Sequence, residues 1–146
     1  MAKHPLESAA RPISPLQGVV IERVNPTHTD NRRTIVEFQN DGEMPFRNMK
    51  VIRINTPEGP EGFRLGQHYH EDRELFFLDK GDIDTLVLED PNTKERQVHR
   101  NLGVNTRILL PANVAHLFIF TGPATLLAFS ENPFNPANLV PYQIEH

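Results

Sequence analysis

Short runs of apolar and β-branched residues, cut by turn-forming clusters, extend along the whole chain, and no window keeps a helical period over three turns. The pattern predicts ten strands: Gly18–Val24, Arg33–Gln39, Met49–Asn55, Arg64–His70, Leu75–Leu78, Asp82–Leu88, Glu95–Arg100, Thr106–Leu110, His116–Phe120 and Thr125–Phe129. Between them lie Asn40-Asp41-Gly42, Pro57-Glu58-Gly59-Pro60, Lys80-Gly81-Asp82, Glu89-Asp90-Pro91-Asn92 and Thr121-Gly122-Pro123, all turn material. Asp90-Pro91-Asn92-Thr93 suits a hairpin tip. Residues 1–16, with Pro5, Pro12 and Pro15, read as an arm ahead of a single domain spanning 17–146. The tail from Asn132 carries Pro133, Pro136 and Pro141 and is expected to lie extended over the body. Ten short strands at regular spacing predict an all-β fold of two antiparallel sheets, a jelly roll.

Composition narrows the function classes. A chain of 146 residues supports one core. Its net charge of −4 and the lack of a basic stripe argue against nucleic acid as a partner. With no cysteine there are no disulfides and no thiolate ligands. The start, Met1-Ala-Lys-His-Pro5, has no apolar signal core, and no run approaches a membrane span, so the cytoplasm is the expected compartment.

The candidate chemistry sits in Gly62 to Gly81 and in Pro111 to His116. In a regular strand, Arg64, Gly66, His68 and His70 share one face, while Leu65, Gln67 and Tyr69 share the other. Two imidazoles can then aim at one point, which a helix would forbid. Glu74 opens the next apolar run with the parity of Phe76 and Leu78, and His116 lies in a third. Three imidazoles and a carboxylate suit a divalent transition metal such as zinc, iron, nickel or manganese, with positions left for water or substrate. Phe76, Phe77, Phe118 and Phe120 are the expected apolar shell. Each element also has an ordinary reading: a surface His-x-His pair, a buried hydrogen-bonded histidine at 116, a solvated turn around Glu74.

The sequence resembles a cupin. The first cupin motif, G-x5-H-x-H-x3-E-x6-G, is filled by Gly62, His68, His70, Glu74 and Gly81. The second, G-x5-P-x-G-x2-H-x3-N, is matched at Pro111 and His116, while Asn113 stands for the inner glycine and Phe120 for the asparagine. Gly103 lies two residues too far upstream for the motif's first glycine. The resemblance implies a double-stranded β-helix with a metal on His68, His70, Glu74 and His116.

A looser likeness narrows the activity. Asp30-Asn31-Arg32-Arg33-Thr34-Ile35-Val36-Glu37 is similar to the D-x-R-G-x-φ-x-E opening (φ apolar) of nucleotide-sugar epimerases and ketoisomerases, with Arg33 in place of glycine. Gly66-Gln67-His68-Tyr69 is similar to their G-L-H-Y, whose histidine is the base, and implies His68 in that role. Arg64 is the associated candidate to hold a diphosphate or carboxylate, with Arg53, Arg73 and Arg107 as alternatives. The chain departs from the 3,5-epimerases in having His70 where they have glutamine, Leu65 where they have arginine, and Pro133-Phe134 near their catalytic tyrosine. Ser130 to Pro136 is similar to a segment of the metal-bearing cupin domain of capsular-polysaccharide sugar reductases. The resemblance thus implies an isomerase or epimerase acting on a keto-sugar or sugar nucleotide. An iron-dependent dioxygenase and a non-catalytic sugar-binding cupin are the alternatives. A homodimer, paired through an edge strand or residues 1–24, is expected.

Overall fold

The computed structural model describes residues 14–39, 43, 45–55 and 62–146. Most of the expected arm and the turns at 40–42 and 57–60 therefore lie outside the described residues. All ten expected strands are found, β9 with its expected bounds and the others with altered ones: β1 (Val20–Arg23), β3 (Thr34–Ile35), β4 (Asn48–Ile54), β5 (Phe63–His70), β6 (Glu74–Lys80), β7 (Ile83–Glu89), β8 (Arg96–Leu102), β9 (Thr106–Leu110), β10 (Ala115–Phe120) and β11 (Ala124–Ser130). Two more appear, β2 (His28–Thr29) and β12 (Leu139–Pro141). The expected strand 33–39 shrinks to β3, which pairs only with β2 across the turn at Asp30. There the Asp30 carboxylate accepts from the backbone of Arg32 and Arg33, a local competitor to ladder formation.

Pairing is antiparallel throughout. One sheet runs β1-β9-β6-β11-β4 and the other β12-β5-β10-β7-β8. This is the two-sheet jelly roll that the strand pattern predicts. Between the sheets lies a core that includes Phe76, Leu78, Leu86, Ile108, Phe118, Phe120 and Leu126. Leu16, on a 3-10 turn at Pro15–Gly18, reaches into it, so the end of the expected arm is anchored. Among the described residues no helix is long and apolar enough to cross a membrane.

Both sheets also bury part of their outer faces. Over the first, Phe38 stacks on Phe77, their rings 4.2 Å apart. Phe77 is thus an outer-face residue, not part of the shell around the histidines, because it lies one position out of phase with Phe76. Beside it Arg107 is buried, donating to the Phe38 carbonyl at 2.7 Å and pairing with Glu22 at 2.7 Å and with Glu43. Over the second sheet, the tail places Ile144 among Val87, Ala115, Leu117 and Ile119, flanked by Tyr69 and Tyr142. The extended, draped tail is as expected, and β12 adds it to the edge of β5.

Candidate functional site

Inward-facing residues of the first sheet form rows across the strands. The row Ile52–Leu126–Leu78 is apolar; the next is Lys50–Ala128–Phe76; the last is Asn48–Ser130–Glu74. Hydrophobic packing therefore gives way to polar side chains at one end of the barrel. On the facing sheet the matching position is the pair His116–His68, above Phe118–Leu65.

The pairing changes register between His116 and Leu117: His116 opposes His68, but Leu117 opposes Gly66, leaving Gln67 as an extra residue. Gly66 and Gln67 both have positive φ, 108° and 64°. This is a β-bulge, and it resets the parity of the strand upstream. Gly66 is required there, since a Cβ would lie 2.5 Å from the His116 carbonyl oxygen. After the bulge His68 and His70 face inward and Tyr69 outward, as the sequence suggests. Before it, Leu65 faces the core and Arg64 does not.

That corrects the expectation for Arg64. Its guanidinium lies outside the barrel and donates to the His146 carbonyl at 3.0 Å. The alternatives are engaged elsewhere: Arg107 as described, and Arg73, whose Nε and Nη2 both donate to Glu131 Oε2. Arg53 alternates with the inward Ile52 and Ile54 on β4 and lines neither cavity below.

The four metal-candidate side chains come together. His68 and His116 have ring centroids 4.7 Å apart, His68 and His70 5.7 Å, and His70 and His116 6.1 Å. Glu74 Oε1 is 2.8 Å from His70 Nε2 and 3.8 Å from His116 Nε2. The turn before His116 is tied to the same strand, with Asn113 in the left-handed region (φ 64°) and its N–H bonded to the His70 carbonyl at 2.8 Å. Asn113 thus makes the turn for which the cupin motif uses glycine. Phe76 and Phe118, packed edge to face, form the floor beneath His116, and Phe120 stacks below Phe118 in the core.

A cavity of about 130 Å³ opens above this cluster, lined by His68, His70, Glu74, Lys50, Asp72 and Phe134 among others. A second, of about 60 Å³, lies beneath it against His116, Phe76 and Phe118. Lys50 lines both, and nothing in the sequence singles it out.

Burial and charge separate the titrations. Burial, with His116 adding to it, brings His68 down to about 4, so it is a free base at neutral pH. Burial also lowers His116. For His70 burial opposes protonation, but the adjoining Glu74 carboxylate outweighs it and raises the pKa. Glu74 shows the converse: burial would raise it, and His70 and His116 hold it below the usual range.

Two buried polar atoms of the cluster lack a hydrogen-bond partner. His116 Nδ1 is 3.1 Å from the Val114 carbonyl; donating there fixes the tautomer and leaves the Nε2 lone pair directed at Glu74. Glu74 Oε1 is buried with no aligned hydrogen bond, despite its 2.8 Å contact with His70, and His70 Nδ1 is likewise unpartnered. As placed, however, no three His, Asp or Glu among the described residues form a group able to hold an ion. The donor atoms as they stand are not closed around one point.

No protein-family model matches the sequence, and no curated protein is found similar to it. Solved structures are similar in fold. A 3,4-ketoisomerase from Helicobacter canadensis is 20% identical, with 84% of this chain and 89% of that one covered and a TM-score of 0.64. The TDP-quinovose 3,4-ketoisomerase WlaRB from Campylobacter jejuni is 20% identical over 86% of this chain and 93% of its own, at 0.68. ChmJ, a 3'-monoepimerase from Streptomyces bikiniensis solved with dTDP-quinovose, is 19% identical over 84% and 68%, at 0.70. At this level of identity the comparisons establish the architecture: the chain has the cupin-type jelly roll shared with these ketoisomerases and this epimerase.

Proposed function

We propose that the protein is an isomerase or epimerase of a nucleotide-linked keto-sugar, working by proton transfer at the carbon beside a carbonyl. The observation that carries this is the convergence of His68, His70, Glu74 and His116 at the mouth of a barrel of this fold. His68 is the base: it is unprotonated at neutral pH and reaches the cavity. His70, held toward its protonated form by Glu74, is the acid that returns a proton. Neighbouring groups whose pKa values are driven apart are how one pocket supplies both functions. The apolar floor of Phe76 and Phe118 keeps water away from the reacting carbon.

The same donors support a divalent transition metal on His68, His70, Glu74 and His116, reached by rotation of the side chains. It would polarise the substrate carbonyl as a Lewis acid. Bound to it, His68 would have no free lone pair to serve as base, and His70 and His116 would be positioning ligands. A homodimer belongs to this reading, supported by Met49 and Val51, 68% and 46% exposed on the edge strand β4; sedimentation at a monomer's mass would refute it.

The test is incubation with TDP-4-keto-6-deoxyglucose, the ligand of one ketoisomerase of this fold, in deuterated buffer with and without added zinc, iron or manganese. Deuterium uptake beside the carbonyl, followed by proton NMR and lost in His68→Gln, is expected. Absence of exchange under all conditions overturns the reading. Oxygen consumption by the iron-loaded protein would favour a dioxygenase, and binding without turnover a sugar-binding protein.

A further inference from the structure

We infer that Lys50 is a catalytic residue of this pocket, the donor that stabilises the oxyanion formed when the proton leaves carbon; the inference rests on the isomerase reading above. Lys50 stands on the inner face of β4, between the apolar row of Ile52 and the polar row of Asn48. Its row neighbour is Ala128, whose small side chain leaves space beside the lysine stem. It borders both the outer cavity and the smaller one beneath. Among the described residues it is the one lysine or arginine lining either. Its charge is felt by Glu74 and by His116, yet no carboxylate among the described residues lies within ion-pair distance of its ammonium. Lys50 is itself solvent-exposed, on the edge strand that bounds the pocket; a cation at the mouth of a pocket and not tied to an acid is placed for an incoming negative charge.

The step balances without a further reactant. The base on the β5 side takes the proton from the carbon next to the carbonyl. The C–H electron pair becomes the C=C bond, and the carbonyl π pair moves onto oxygen. A Lys50 N–H donates to that oxygen across the cavity. Return of a proton to the other face of the same carbon gives the epimer. Transfer of the adjacent hydroxyl proton to oxygen, with protonation of the original carbonyl carbon, moves the carbonyl by one position. The charge on oxygen exists only between the two proton transfers, so the lysine acts on turnover and little on ground-state binding.

The experiment compares wild type, Lys50→Met and Lys50→Arg for deuterium exchange into TDP-4-keto-6-deoxyglucose, with kcat and KM resolved and folding checked by thermal melting. Lys50→Met is expected to lower kcat by roughly 100- to 1000-fold with KM changed less than about threefold, and Lys50→Arg to recover part of the loss. A kcat for Lys50→Met within about threefold of wild type, or a defect confined to KM, overturns the assignment while leaving the isomerase reading standing. If Lys50→Met melts early, Lys50→Gln is read in its place by the same criteria. A wild type without exchange overturns the isomerase reading and this assignment with it.

Discussion

Replacing Gly66 with alanine tests whether the bulge in β5 sets the site. The new methyl carbon would meet the His116 carbonyl oxygen at 2.5 Å and the His116 ring at 3.2 Å, from a backbone held at φ 108°. Bringing the first contact out to even 3.0 Å requires β5 and β10 to part by about 0.5 Å at the one place where His68 and His116 are paired. Backbone strain of this type costs about 1–3 kcal/mol, and forcing an extra carbon into a packed contact a similar amount, about 1–3 kcal/mol. The total is roughly 2–6 kcal/mol, so with a urea slope of about 2 kcal/mol per molar the unfolding midpoint should fall by about 1–3 M. Gly122→Ala is the control, because a Cβ there meets nothing within 4 Å. The His68 imidazole titration, read by NMR, should move from about 4 toward its ordinary value as the pair opens. A Gly66→Ala midpoint within about 0.2 M of wild type, with His68 titrating as before, would refute the role given to the bulge.

His68→Gln should flatten the acid limb of stability. The folded pKa of about 4 lies below the ordinary 6.5, so the unfolded chain binds more protons in that window and wild type loses stability as pH falls through it. His116 acts in the same direction, whereas raised His70 contributes stability at low pH that is lost as pH rises through its folded value. Urea midpoints at pH 7 and 5 should therefore converge in His68→Gln; an equal or steeper fall than in wild type contradicts the assignment. Glu74→Gln should melt like wild type but retain at least about tenfold less zinc by elemental analysis; unchanged metal content would show that Glu74 is no ligand. Arg107→Met removes the donor buried against Glu22, Glu43 and Phe38 and should cost about 3 kcal/mol by urea denaturation. Less than about 0.5 kcal/mol there would mean that the segment over the outer sheet is held by its phenylalanines alone.

The four convergent residues were legible because their information is local: a period of two for His68 and His70, a short turn to Glu74, and a proline-led turn before His116. Arg64 misled because a single extra residue inverts the parity of everything upstream of it. Gly66 inside a strand was the available signal, since an isolated glycine there often marks a bulge. Lys50 had no signal at all. A lone lysine in an ordinary strand becomes a pocket residue only once the neighbouring strands are known. Strand β12 was hidden by Pro141, which an edge strand tolerates, and β2 by its two-residue length. Phe77 falls on the outer face, which the sequence does not reveal, because a continuous apolar run, Leu75 to Leu78, does not declare which of its residues point inward.

The extra residue Gln67 is held by the tail through both of its oxygens. Its main-chain carbonyl accepts from Tyr142 at 3.0 Å and its side-chain oxygen from Ile144 at 2.8 Å. Tyr142 is in turn moored by its hydroxyl to Glu89 and to Lys94. The last few residues therefore act as a splint on the irregular turn of backbone next to His68. A perturbation on the outside of the molecule, such as a probe on Tyr142 or a protease cut after Pro136, would be felt at the His68 imidazole.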